Sequence, residues 1–341
     1  MTAWFMPPET APHRRTWMAF PSAGYTLGDT QEDAEIARAT WAAVANAVSV
    51  FEPVTMLVTH DDAEVARELL DAGIDLIETE LDDAWMRDIG PTFVLGAGGQ
   101  LGAVDWVFNG WGGQSWASWG HDARVAGTVA AQAFAELIES PIVNEGGGFH
   151  VDGEGTVLLT ETVQLDPGRN PSLTKQDIEA EFTRTLGVDT FIWLPRGLTR
   201  DYGEFGTRGH VDIVATFPSP GVVLVHDQED PSHPDHAVTQ QVIEVLSAAT
   251  DSRGRSLEVV RIPAPANCYD EDGPNDWSYV NHLVVNGGVV ACIFDDENDD
   301  RALDILEAVY PGREVMGVDA RELFARGGGI HCITQQEPAA H

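Results

Sequence analysis

Near its C-terminal end the chain reads Gly327-Gly328-Gly329-Ile330-His331-Cys332-Ile333-Thr334-Gln335-Gln336. Three glycines permit close backbone approach and positive φ, and the pattern predicts a strand that begins at once and carries Cys332. A cysteine approached from an open side becomes a nucleophile when a nearby positive charge favours its thiolate. That charge can belong to the substrate. A free cysteine is also commonly a small buried hydrophobe, the reading given to Cys292 within Val289–Ile293 and to Cys268. The run alone leaves both roles open for Cys332.

Two His-x-Asp pairs stand elsewhere, His210-Val211-Asp212 after Gly209 and His150-Val151-Asp152 after Glu145-Gly146-Gly147-Gly148. In a strand, positions two apart face one side, so His210 and Asp212 are expected to project together. Such a pair does acid–base work or holds a cation, and it also occurs as a hydrogen-bonded structural pair. The repetition suggests that one copy is structural. A further carboxylate, Asp88, lies in Trp85-Met86-Arg87-Asp88-Ile89-Gly90-Pro91, where the Gly-Pro turn places it on a loop beside a strand. An aspartate there serves equally as a turn cap.

Other patterns lead away from cofactors. His226, His233 and His236 share a proline-containing segment read as a surface loop, and their spacing matches no closed zinc pattern. Asp295–Asp300 resembles a calcium loop but lacks the glycine at position six and the terminal glutamate, so it reads as a helix N-terminus. No phosphate-cradling glycine motif sits between a strand and a helix.

The elements that must position these residues recur. Short β-branched runs occur at Val54–Val58, Leu101–Trp106, Thr156–Thr160, Val222–Val225 and Val289–Ile293, three of them after a glycine turn. Helical patterns follow at Gln31–Val50, with a Thr30–Asp33 capping box and a stripe including Ile36 and Trp41, and at Asp62–Ala72, ending at Gly73. Others cover Asp122–Glu139, Thr174–Leu186 with a second capping box and Gly187 at its end, His236–Ala248 and Asp299–Val309. Strands are predicted after several helices, at Ile74–Ile77, Thr190–Leu194, Leu257–Ile262 and Glu314–Val318. The unit is strand, hairpin, strand, helix, strand. Five units account for the chain, its two ends combining in one.

The 341 residues carry 55 Asp+Glu against 19 Lys+Arg, a formal net charge of -36, with Lys175 the single lysine. Such acidity disfavours nucleic acid or an anionic membrane as partner and suits a cationic small molecule, although it also serves general solubility. Three cysteines provide no disulfide framework. With neither a secretory signal nor an apolar span evident, a soluble cytoplasmic location is expected. A homo-oligomer stays open.

With Asp88, His210, Asp212 and Cys332 assembled, the sequence resembles the agmatine deiminases, guanidino-group-modifying enzymes of the pentein superfamily related to bacterial-type peptidyl-arginine deiminases. The resemblance runs from Met6-Pro7-Pro8-Glu9 through Trp85–Asp88, Phe108–Gly113, Glu145–Gly147, Val151–Thr156, Trp193–Gly197 and Gly209–Asp212 to Gly328–Gln336. It implies an α/β fold, a five-bladed α/β propeller, with residues 1–341 forming a single deiminase domain. It implies hydrolytic deimination of agmatine to N-carbamoylputrescine and ammonia, with another arginine derivative, peptidyl arginine or amidino transfer as alternatives. Cys332 would attack the guanidinium carbon, Asp88 and Asp212 would bind its nitrogens, His210 would be acid and base, and Glu145 would orient His210. Trp85 and Trp111 would line the substrate channel. Neither a metal nor an organic cofactor is implied. The sequence departs from the agmatine-type pattern at Phe205-Gly206-Thr207-Arg208 and at Ile213, which concerns the far end of the substrate.

Overall fold

The computed structural model describes residues 3–270 and 273–340. They form a mixed α/β fold whose main strands lie in five sheets of three or four strands. Four sheets contain an antiparallel hairpin whose second strand is continued by a parallel neighbour. These hairpin–neighbour sets are Thr92–Gly96, Leu101–Val107 and Glu136–Val143; Phe149–Val151, Thr156–Thr160 and Thr190–Leu194; Ala215–Ser219, Val222–Asp227 and Glu258–Pro263; and Leu283–Val285, Gly288–Ile293 and Glu314–Asp319. The remaining sheet joins the two chain ends. Thr334–Pro338 pairs antiparallel with His13–Ala19, which continues in parallel to Val54–Val58 and Asp75–Glu78. The repeated unit is therefore present, and its composite copy lies where the sequence placed it.

A parallel neighbour must be reached by a crossover, and each of the six parallel pairs has a helix in its crossover. Gln31–Ser49 starts on the complete Thr30–Asp33 capping box and buries Ala37, Trp41, Val44, Ala45 and Val48. Ile36, assigned to that stripe, is 36% exposed instead, because the buried positions centre on the Ala37–Trp41–Val44–Val48 line. Lys175–Leu186 has the second capping box and ends on left-handed Gly187. Each fully buried large side chain on these faces contributes about 1.5–3 kcal/mol.

Three expectations are corrected. The Asp122–Glu139 helix is a short 3-10 turn at Asp122–Arg124 and a helix over Val125–Ala133. Phe134 then turns left-handed at φ 55°, and Glu136–Val143 is a strand whose alternate residues are buried. The helix expected to reach Ala72 covers only Ala63–Leu69, ending in extended Leu70 rather than at Gly73. The segment with His226, His233 and His236 is not one surface loop: His226 lies in the strand Val222–Asp227, and His233 caps the helix Pro234–Ala248, which contains His236. Among the described residues no helix is long and apolar enough to cross a membrane.

Candidate active site

Loops at the ends of separate sheets bring the singled-out residues together. Cys332 is not on a strand: residues 330–333 form a turn and the strand starts at Thr334. The Arg87 backbone N–H donates to Cys332 O at 3.0 Å, fastening this turn to the single helical turn Met86–Ile89 that carries Asp88. His210 and Asp212 are likewise not in a strand, since Val211–Ile213 is a 3-10 turn. They nevertheless converge. The fixed point is Gly147, where an added Cβ would lie 2.5 Å from His210 Nδ1, 3.0 Å from Asp212 Oδ2 and 3.1 Å from Asp88 Oδ1. Only glycine leaves room for three charged groups around one backbone position.

Each group is held by specific partners. Asp88 accepts from Trp111 Nε1 at 2.8 Å and from the Gly147 N–H at 3.0 Å. Burial raises its pKa to about 6, although His210 nearby works in the opposite direction. Glu145 Oε2 lies 3.4 Å from His210 Nε2, while Arg169 Nε donates to both Glu145 oxygens at 3.0 Å. Burial would push Glu145 up, and Arg169 followed by His210 outweigh it, holding the carboxylate below its usual range. Burial also opposes a charge on His210, but Asp88 and Glu145 prevail and bring its pKa to about 9. His210 is therefore an imidazolium at neutral pH. Its backbone is fixed by buried Asp201, which accepts from the Gly209 and His210 N–H groups at 2.6 and 3.0 Å.

Cys332 Sγ lies 3.5 Å from Asp212 Oδ2 and 3.3 Å from Asn281 Nδ2. Burial first, then the Asp212 and Asp88 charges, raise the thiol well above its usual value. The unliganded cysteine is thus a thiol, and a cation placed between the two aspartates would favour ionisation. A pocket of about 290 Å³, counting its open mouth, leads to it between Trp85, Trp111, Trp116, Phe205, Thr207 and Gly327. Trp111 and Trp116 stack at 5.3 Å, and Phe205 packs against Trp116 at 5.2 Å. Trp111 and Phe205 both hold left-handed backbone, φ 54° and 68°, an uncommon conformation for aromatic residues and one that clusters at functional sites.

The site contains all seven residues singled out from the sequence: Cys332, His210, Asp88, Asp212, Glu145, Trp85 and Trp111 lie in it or against it. Sequence reasoning missed Arg169, Asp201, Asn281 and Trp116, and it marked Phe205 only as a departure from the agmatine-type pattern. The second pair is separate: His150 bonds Thr216 Oγ1 at 2.8 Å, and Asp152 Oδ1 accepts from the Glu154 and Thr156 N–H groups. Arg208 turns to Gln114, at 3.3 Å, and towards Asp166, and its side chain is 45% exposed. Ile213 is buried. Among the described residues no three His, Cys, Asp or Glu side chains converge as a metal ion requires, and His226, His233 and His236 form no such group.

A nucleophile, two carboxylates and an imidazolium within an aromatic pocket can bind a planar cation and exchange one of its substituents. A model of the Porphyromonas-type peptidyl-arginine deiminase family matches residues 5–338. A Streptomyces coelicolor protein with a provisional agmatine deiminase name is 60% identical over 334 residues, 98% of this chain and 98% of its own. The agmatine deiminase of Stutzerimonas stutzeri is 41% identical over 359 aligned positions, covering 98% of this chain and 96% of its own. The solved agmatine deiminase of Enterococcus faecalis superposes with a TM-score of 0.92 at 33% identity, over 99% of this chain and 97% of that one. The chain belongs to the Porphyromonas-type peptidyl-arginine deiminase family.

Proposed function

We propose that this protein hydrolyses agmatine to N-carbamoylputrescine and ammonia through a covalent amidino intermediate on Cys332. The observation that carries the reading is the convergence of Cys332, Asp88, Asp212 and His210 on one narrow aromatic pocket. Full-length relatives named as agmatine deiminases add support. Asp88 and Asp212 take guanidinium N–H groups in charge-assisted hydrogen bonds. As the cation docks, the Cys332 thiol loses its proton to solvent and the thiolate bonds to the central carbon. His210 gives its proton to one amino group, the C–N bond breaks and ammonia leaves. Neutral His210 then takes a proton from water and hydroxide adds to the amidino carbon; the C–S bond breaks as the new hydroxyl proton passes to the departing Cys332 sulfur, which restores the thiol and releases the neutral ureido product. Glu145, held by Arg169, keeps His210 oriented through the cycle. Trp85 and Trp111 flank the cation, where an aromatic face contributes about 0.5–2 kcal/mol.

The five sheets, in this reading, close into a five-bladed α/β propeller within a single deiminase domain spanning 1–341. Pairing of the two chain ends in one sheet and the meeting of loops from separate sheets at one pocket support that closure. A cytoplasmic setting suits a thiol nucleophile and a metabolite substrate.

The test is product analysis with agmatine, arginine and blocked arginine. Stoichiometric ammonia and N-carbamoylputrescine from agmatine are expected. Silence on agmatine with turnover of either arginine substrate would assign the site to another guanidino compound.

A further inference from the structure

Behind Asp212 runs a buried chain of charges built from the two ends of the polypeptide. His331 Nδ1 lies 2.8 Å from Asp212 Oδ2, and its Nε2 lies 2.9 Å from Glu9 Oε1. An imidazole facing a carboxylate with each nitrogen donates to both only when it carries both protons. Burial and Arg87 oppose that charge; Glu9 and Asp212 outweigh them and raise the His331 pKa.

The remaining neighbours fit this protonation. Arg87 Nη1 approaches the same Glu9 oxygen at 3.5 Å, and Arg87 Nε donates to His331 O at 3.2 Å. His150 Nε2 lies 3.5 Å from Glu9 Oε2, and its Nδ1 accepts from the Phe217 N–H at 3.3 Å. His282 also faces the cluster. Burial first, with the nearby His331 charge, pushes its pKa down to about 4, and it meets Tyr310 Oη at 2.9 Å. The charges of Glu9, Asp212, His331 and Arg87 cancel, and none of these residues is more than 6% exposed. With Asp212 Oδ2 engaged, its Oδ1 is buried without a protein partner.

We infer that Glu9 and His331 are positioning residues for the reaction: a carboxylate–imidazolium–carboxylate chain that keeps Asp212 ionised and fixed before substrate arrives, with Oδ1 left for the guanidinium. The inference rests on the reading above that Asp212 binds substrate. A buried Asp212 beside Asp88, deprived of its imidazolium, takes up a proton and ceases to be the acceptor that a guanidinium needs. The Met6-Pro7-Pro8-Glu9 segment thereby acquires a chemical function although it lies outside the pocket.

The experiment compares Glu9→Gln, His331→Gln and Glu9→Asp by kcat, KM and the pH profile of kcat/KM for agmatine. Removing a residue that orients a binding side chain typically costs about 10–100-fold, here expected chiefly in KM for both Gln variants. Their acidic limb, set by Asp88 in the wild type, should steepen or move up, because Asp212 without its imidazolium also takes up a proton in that range, while Glu9→Asp keeps the charge and stays near wild type. Folded Gln variants whose limb neither steepens nor moves would overturn the inference. Nitrogen NMR of the unaltered enzyme provides an arm independent of variant folding. A doubly protonated His331 ring at neutral pH supports the chain, and a singly protonated one overturns it. Asp212→Asn is measured alongside; a wild-type KM there would sink the assignment of Asp212 to substrate and not the charge chain itself.

Discussion

The indole N–H of Trp111 donates to Asp88 Oδ2 across 2.8 Å. The same aromatic ring therefore walls the pocket and holds Asp88, the carboxylate proposed above to bind the guanidinium. A hydrogen bond to a charged group is worth about 1.5–3 kcal/mol, so Trp111→Phe should lower kcat/KM for agmatine by about 10–100-fold. Steady-state kinetics decide it. A variant within twofold of wild type would show that the bond does not support Asp88 in its binding role.

Gly147 separates His210, Asp88 and Asp212, and a Cβ there would come within 2.5 Å of His210 Nδ1. Gly147→Ala should cost about 1–3 kcal/mol of stability from overpacking. Displacing catalytic groups by about 1 Å should reduce kcat by about 100-fold. Chemical denaturation and kinetics on the folded variant measure the two effects separately.

The pH dependence follows from two groups. In the proposed mechanism Asp88, at about 6, loses its proton to bind a cation, and His210, at about 9, keeps one to protonate the departing amino group. The kcat/KM profile should rise through about 6, fall through about 9 and form a plateau between them. An acid limb unmoved by Asp88→Asn, in a variant that still turns over, would assign that limb to another group.

Arg208 is directed at Gln114 and Asp166 instead of the pocket. Arg208→Ala should leave KM for agmatine within about twofold, the size expected of an exposed charge. A large fall in KM would mean that the arginine opposes the substrate's ammonium end.

Much of this arrangement was legible locally. Capping boxes at Thr30 and Thr174 and β-branched runs such as Val222–Val225 mark their elements with short-range chemistry. The strand Glu136–Val143 was not, because alanines carry a helical pattern up to Ala133 and the chain turns at a left-handed phenylalanine with no glycine or proline to mark it. Cys332, His210 and Asp88 announce themselves by glycine-rich or turn contexts. Arg169, Asp201 and Asn281 act through contacts across the fold; Asn281 is 51 residues from the cysteine it touches, and its local sequence has no corresponding signature. His331 stands next to Cys332 in the sequence, whereas both of its ring nitrogens engage carboxylates distant in the chain.

Buried Asp122 gives a stability prediction away from the pocket. Burial raises its pKa to about 8, so between the ordinary aspartate value and about 8 the unfolded state sheds a proton that the folded state retains. This contribution to stability is lost as pH rises through that window. Asp122→Asn cannot ionise and should gain Tm relative to wild type as pH rises from about 5 to about 8, by about 2 °C or more. Equal Tm differences at both pH values would contradict the titration.

The central claim is that Cys332 becomes covalently bonded to the substrate carbon. Acid quenching during agmatine turnover, followed by mass spectrometry of the Cys332 peptide, tests it directly. The account predicts an adduct equal to agmatine less ammonia on Cys332, absent in Cys332→Ser together with ammonia release. Wild-type turnover by Cys332→Ser, or the same adduct on another residue, would contradict it.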